Sequence, residues 1–288
     1  MGAPLEATSE GRAGGATGAG AIADHLRIGS GEPVLLIHGF TATWRAWGPI
    51  PERLASEGFE VLAVTIPGHT GGPPLGEGDS IPALVRGLEA MLDEVGWGDA
   101  HVAGFSLGGW LSLELAKLGR ARSVTAIAPG GGKTEQHDRE SRRIQRLFGR
   151  LHRGAKLVQP WAEELNRRPR YRKLALRDQM VDGSRVPPRD AYELTKAFVD
   201  TPVFHRFLRE IGDDRAVTLE DLDRIDCPVT VLWGERDAVL PMRRHAPFFR
   251  ESLPAARFEV LPNAGHVPFW EATDAVVAAI AAQARRPS

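Results

Sequence analysis

Along this chain, short runs of consecutive apolar and largely β-branched residues recur between turn signals, at positions 34–37, 61–66, 102–105, 124–127, 229–233 and 258–261. Runs of this length without polar alternation read as strands buried on both faces. Between most of them lie stretches with helical spacing, at 47–56, 81–95 and 107–118, the last with Leu111, Leu115 and Leu118 on one side. Short apolar strands alternating with helices predict an α/β protein, a mostly parallel sheet with helices on both faces.

The alternation stops near Gly131 and resumes near Cys227. Residues 131–222 keep helical periodicity, carry many charges and contain no convincing strand, so they are expected to form a helical cap inserted into a core made of 23–130 and 223–288. Residues 1–22 are rich in Gly, Ala, Ser and Thr and hold too little apolar surface to offset the entropy of ordering, which predicts a disordered tail. No fixed-period repeat is visible.

Composition narrows the function classes. The 288 residues are 42% hydrophobic and 25% charged with a formal net charge of −1, which gives nucleic-acid binding no support. No segment approaches the roughly 18 consecutive apolar residues of a membrane span. The start shows neither a secretory nor a myristoylation pattern, and the single cysteine, Cys227, cannot form an internal disulfide, so a cytoplasmic location is expected. Cys227 precedes Pro228 at the start of a strand and reads as buried and inert. Paired CxxC units, HExxH, Walker loops and dinucleotide fingerprints are absent, so neither metal nor cofactor is expected.

One motif carries chemistry. Gly104-Phe105-Ser106-Leu107-Gly108 matches G-x-S-x-G and lies between the 102–105 strand and the 107–118 helix. A nucleophile on such a sharp strand-to-helix turn is strained, and glycines two residues to either side remove the Cβ atoms that would collide. The helix also points its N-terminus at the reacting centre, where it favours developing negative charge.

Three further segments follow the same order as in a known family: Leu36-Ile37-His38-Gly39-Phe40, Trp233-Gly234-Glu235-Arg236-Asp237 and Asn263-Ala264-Gly265-His266. With these the chain resembles the capped α/β-hydrolase superfamily over about residues 25–285, near its small carboxylesterases and carbon-carbon bond hydrolases. The resemblance implies an eight-stranded, mostly parallel sheet flanked by helices, with the cap inserted after the sixth strand.

It also implies roles. Serine alone is a poor nucleophile at neutral pH and needs a base that a third group orients. Ser106 is expected to be the nucleophile, His266 the base and Asp237 the orienting acid, with Glu235 a neighbouring carboxylate that could in principle substitute. The backbone amides of Phe40 and Leu107 would bind the oxyanion, and His38 would hold its loop. At Thr65-Ile66-Pro67-Gly68-His69-Thr70 the chain departs from many relatives, which carry Asp first and Gly last; the change bears on the loop's hydrogen bonding, and His69 reads as a loop residue. Relatives that open epoxides or displace halide use Asp at the elbow, whereas Ser106 suits attack on an acyl carbon.

The expected activity is hydrolysis of a small carboxylic ester through an acyl-enzyme. Carbon-carbon cleavage of ring-opened diketones, and lactonase, thioesterase or perhydrolase action, use the same triad, and a hydrolase-like small-molecule receptor is the non-enzymatic alternative. Trp44, Phe105, Trp161, Val239 and Val267 are candidate substrate contacts. The cap segment carries 20 Lys plus Arg against 15 Asp plus Glu, and Arg139, Arg142, Arg143, Arg146, Arg150 and Arg153 form a basic stripe opposite Ile144, Leu147, Phe148 and Leu151. That stripe is either a solvated helix face or a contact for anionic lipid headgroups. Oligomeric state is left open.

Overall fold

The computed structural model describes residues 24–78, 80–212 and 218–286. The stretch 1–22, expected to be a disordered tail, lies outside them. Seven strands form one sheet: β1 (His25–Gly29), β2 (Glu32–Ile37), β3 (Phe59–Val64), β4 (Ala100–Phe105), β5 (Ala121–Ile127), β6 (Val229–Gly234) and β7 (Arg257–Leu261). Their spatial order is β1-β3-β2-β4-β5-β6-β7, with β1 antiparallel to β3 and every other pairing parallel. The helices are α1 (Ile50–Ser56), α2 (Ser80–Glu94), α3 (Leu107–Lys117), α4 (His137–Val158), α5 (Ala162–Asn166), α6 (Pro169–Ala175), α7 (Pro188–Asp200), α8 (Phe204–Gly212), α9 (Met242–Ser252) and α10 (Thr273–Ala284).

The sheet therefore has seven strands among the described residues, not eight, and the helical segment follows the fifth strand rather than the sixth. The count of eight rested on resemblance. The edge strand β1 escaped the sequence reading because its residues alternate between exposed and half-buried, a weak pattern with only Leu26 and Ile28 turned inward.

The central strands are continuous apolar runs because both faces of the sheet are covered. Leu35 and Ile37 of β2 pack into a core with α2, α3 and α9, while Val34 and Leu36 pack into a second core with α1 and α10. All four side chains are fully buried. Each stabilises the fold by roughly 1.5–3 kcal/mol relative to exposure. In such a sheet the loops at the carboxyl ends of the parallel strands gather at one edge, where ligands bind. The loops after β2, β4, β6 and β7 carry Phe40, Ser106, Asp237 and His266 to that edge.

Candidate active site

Ser106 occupies a tight turn between β4 and α3. Its backbone has φ 56° and ψ −116°, a conformation that costs an L-residue about 1–3 kcal/mol and persists only where its surroundings over-determine it. They do so here. The Ser106 amide donates to Ile127 O at 2.9 Å, and its carbonyl accepts from Gly130 N at 2.9 Å and Trp110 N at 3.1 Å. A Cβ on Gly104 would collide with the backbone of Gly108 and with Ser112 Oγ, and one on Gly108 would collide with the carbonyl oxygens of Ile37 and His38. Ser106 is the residue preceding the first turn of α3, so the positive end of that helix faces it.

The loop after β2 is held just as firmly. A Cβ on Gly39 would come within 2.8 Å of Phe105 Cε2 and 3.2 Å of Ser106 Cβ, so only glycine lets this loop lie against the elbow. Thr41 adopts φ 67°, an outlier for a β-branched residue, and its hydroxyl donates to Phe40 O at 2.5 Å. The ring of Phe40 packs against Phe148 of α4 at 5.5 Å and against Phe204 and Phe207 of α8 at 5.7 and 4.6 Å between centroids. Among the described residues the amides of Phe40 and Leu107 make no hydrogen bond to another backbone group, and both residues line a cavity beside Ser106. Two such donors on adjacent loops are a suitable receptor for an anionic oxygen.

His38 ties this loop to the one after β3. Its Nδ1–H donates to Gly39 O at 2.7 Å and its Nε2 accepts from Ile66 N at 3.1 Å. Both partners demand the neutral ring with the proton on Nδ1, and burial, reinforced by the neighbouring His69, holds its pKa well below the ordinary value. His69 stacks edge-on to His38 at 5.0 Å, donates to Pro67 O at 3.1 Å, and is pushed by burial down to about 4. At the position where many relatives carry Asp, Thr65 donates through its hydroxyl to Asp24 at 3.4 Å and through its amide to Asp24 O at 3.0 Å. The carboxylate is thus supplied from a distant part of the chain, and it also accepts from Trp44 Nε1 at 3.0 Å.

The acid and the imidazole meet after β6 and β7. His266 Nδ1 lies 2.7 Å from Asp237 Oδ2, with both side chains buried. Asp237 Oδ1 accepts from the amides of Val239 and Leu240 at 2.9 and 2.8 Å, which fixes the carboxylate's plane. Glu235 points elsewhere and accepts from Asn263 N at 2.9 Å. Ser106 and His266 line one cavity of about 360 Å³. Behind the histidine, Val267 N donates to Gln179 O at 3.0 Å, and Glu271 accepts from Gly265 N at 2.8 Å and Asp182 N at 2.7 Å.

Phe105, Val239 and Val267 border the 360 Å³ cavity. Trp44 and Trp161 do not: Trp44 turns toward Asp24 and lies beneath the Arg45 guanidinium at 4.3 Å, and Trp161 is 63% exposed. Sequence reasoning missed a buried cluster beside the site. Glu140 of α4 accepts from Arg143 Nε at 2.7 Å and Arg244 at 2.9 Å and pairs with His245 at 3.2 Å. Burial works against the Glu140 charge, but hydrogen bonds from Arg143 and His245 outweigh it and hold the carboxyl below its usual range. Burial lowers the pKa of His245 against the pull of Glu140. Arg143 also donates to the carbonyls of Ala238 and Val239, directly after Asp237. Only a pair of acids, Asp138 and Glu140, in the first turn of an otherwise basic helix marked this cluster in the sequence.

Among the described residues no group of three or more His, Cys, Asp and Glu side chains could hold a metal, and no helix is long and apolar enough to cross a membrane. The Cys227 thiol is half-buried, and burial pushes its pKa up to about 11.

A mostly parallel sheet with a strained serine, a buried acid–imidazole pair and a cavity at the carboxyl ends of its strands fits a hydrolase-type enzyme. Residues 34–279 match the alpha/beta hydrolase family, and the chain belongs to it. It is 33% identical over 197 residues to epoxide hydrolase EphH of Mycobacterium tuberculosis, covering 67% of this chain and 89% of that protein. It is 28% identical over 254 residues to a pimeloyl-acyl-carrier-protein methyl ester esterase of Neisseria meningitidis, covering 86% and 90%. Its fold is shared with a thermophilic esterase from Thermogutta terrifontis, at a TM-score of 0.68 and 23% identity over 90% of this chain and 91% of that one.

Proposed function

We propose that this protein is a serine hydrolase that cleaves carboxylic esters of small molecules through an acyl-enzyme. The observation that carries the reading is the 2.7 Å contact of His266 Nδ1 with Asp237, in a cavity that Ser106 also lines. With Nδ1–H donated to the carboxylate, Nε2 is left unprotonated and able to accept a proton. The Ser106 hydroxyl loses its proton to Nε2 as Oγ bonds to the ester carbonyl carbon, and the carbonyl electron pair moves onto oxygen. The amides of Phe40 and Leu107 receive that oxyanion, and one well-aimed donor in such a site is worth on the order of 3 kcal/mol of barrier. Collapse of the intermediate breaks the bond to the alcohol oxygen, which takes the proton from His266. Water, deprotonated by the same imidazole, then releases the acid and restores Ser106.

In this reading residues 131–222 are a cap that roofs the cavity, since Leu147, Phe148 and Leu151 of α4 and Phe198 of α7 form its walls. The likeness to an epoxide hydrolase favours the fold more than the reaction. Opening an epoxide on such an elbow requires a carboxylate that forms an ester with an alkyl carbon, and position 106 is a serine hydroxyl. The esterases among the relatives agree with attack on an acyl carbon.

A fluorophosphonate probe is expected to add one phosphonyl group to Ser106, located by peptide mass spectrometry, and Ser106→Ala is expected to abolish both labelling and p-nitrophenyl acetate hydrolysis while the thermal midpoint is kept. Activity of Ser106→Ala within about tenfold of the native enzyme would overturn the assignment, because loss of a nucleophile of this kind costs several orders of magnitude.

A further inference from the structure

Ser106 stands between two cavities of unequal size. The smaller, about 120 Å³, is bounded by Leu107, Trp110, Ile144, Phe207 and the Glu140–His245 pair. The larger, about 360 Å³, is lined by Leu151, Val158 and Leu174 among others, and His266 borders it. Phe40, Phe148 and Val239 border both. His266 borders only the larger one, and Leu107 only the smaller.

This asymmetry decides which half of an ester goes where. The imidazole that accepts the serine proton must hand it to the leaving oxygen, which requires that oxygen within hydrogen-bond reach of the ring. The alcohol therefore occupies the cavity that His266 borders, and the acyl group is left with the other. The smaller cavity has about a third of the larger one's volume, so the acyl group is the shorter of the two chains. Its lining includes Glu140 and His245, paired at 3.2 Å and fixed by Arg143 and Arg244, and burying methylenes against such polar groups is unfavourable. The larger cavity's lining includes Leu151, Val158 and Leu174, and Leu174 is 58% exposed, which gives a long alcohol an apolar surface reaching solvent.

Resting on the serine-hydrolase reading, we infer that the substrates are esters of a short acyl group with a long apolar alcohol. Trp110, Ile144 and Phe207 set the acyl limit, and Leu151, Val158 and Leu174 receive the alcohol.

The test is kcat/KM of the full chain on two series in dilute solution: p-nitrophenyl esters from acetate to dodecanoate, and acetates of ethanol to dodecanol followed by acid release. The acyl series is expected to fall about 100-fold between butanoate and octanoate, the scale on which an apolar pocket rejects excess methylenes, while octyl and dodecyl acetate are cleaved at least as well as ethyl acetate. Ile144→Ala shifts the acyl optimum to longer chains, and Leu151→Trp lowers the octyl-to-ethyl acetate ratio. Preference for long acyl chains with refusal of long-chain acetates overturns the inference, as does an exchange of the two variants' effects. Labelling of Ser106 by the fluorophosphonate separates the two levels. A labelled enzyme with the reverse preference overturns only the substrate assignment. Absence of both labelling and turnover overturns the serine-hydrolase reading, and the assignment with it.

Discussion

The Nδ1 of His266 lies 2.7 Å from one oxygen of Asp237, while the other oxygen of the same carboxylate is held by the amides of Val239 and Leu240. The carboxylate cannot turn without losing both amides, so it fixes the plane of the imidazole and the position of its proton. Asp237→Asn replaces one acceptor by an NH2 donor and removes the charge that stabilises the protonated ring. The expected result is a fall in kcat of about 10⁴ on any ester that the native enzyme cleaves, with the circular-dichroism spectrum unchanged. A loss smaller than about tenfold would mean that another group orients His266.

Gly108 lies where a Cβ would collide with the carbonyl oxygens of Ile37 and His38. These oxygens belong to the end of β2 and the loop that follows, which cannot retreat without dragging Phe40 away from Ser106. Gly108→Ala is expected to destabilise the fold by about 3 kcal/mol or more, at the upper end of overpacking effects, read as a lower urea midpoint with an unchanged slope. The same substitution at Gly154, which has open space around it, is the control and should leave the midpoint level or higher.

His69 is neutral in the folded protein down to about pH 4, because burial depresses its pKa from the ordinary 6.5. In the unfolded chain it takes up a proton near 6.5. Between these values the unfolded state binds the extra proton, so the stabilisation is complete above pH 6.5 and is lost as pH falls toward 4. Its size is about 3 kcal/mol for a shift of this extent. The protein should therefore lose urea resistance steeply between pH 6.5 and 4, and His69→Gln should reduce that slope by about one proton per molecule even though it removes the bond to Pro67. An unchanged slope would show that His69 does not contribute.

Arg143 connects α4 to the loop behind the acid, since it donates to the carbonyls of Ala238 and Val239 and the Val239 amide in turn holds Asp237. Arg143→Ala should lower kcat for ethyl acetate by about tenfold, the order expected when an outer partner of a reacting group is removed, with KM changed less. Arg143→Lys, which keeps the charge but cannot reach both carbonyls and Glu140 together, should recover only part of the loss. A change confined to KM would place Arg143 with the substrate rather than with the Asp237 loop.

Much of this was legible along the chain. The six runs became six of the seven strands, five of them because a strand buried on both faces must be largely apolar, as the alternate assignment of Val34, Leu35, Leu36 and Ile37 to two cores illustrates; the sixth, β7, is an edge strand with Val260 exposed. Ser106 was legible because its backbone needs two glycines at fixed short spacing, which is local information. Trp44 and Trp161 show the limit. Trp44 lies close in sequence to Phe40 and Trp161 lies in the helical segment, yet one turns to Asp24 and the other to solvent, since aromatic character alone does not say which way a side chain faces.

By itself the sequence determined the mostly parallel sheet and the elbow, which follow from hydrophobic period and from a turn only a few residues long, while Asp237 and His266 were expected only through a resemblance. Tertiary structure alone decided what depends on elements far apart in the chain. Glu140 meets His245 across 105 residues, and Asp182 meets Glu271 across 89. The division of the space around Ser106 into a small and a large cavity arises only when α4 and α8 settle over the strand ends and close on Phe40. No local pattern encodes a volume bounded by elements so far apart in the chain, with His266 on one side of it.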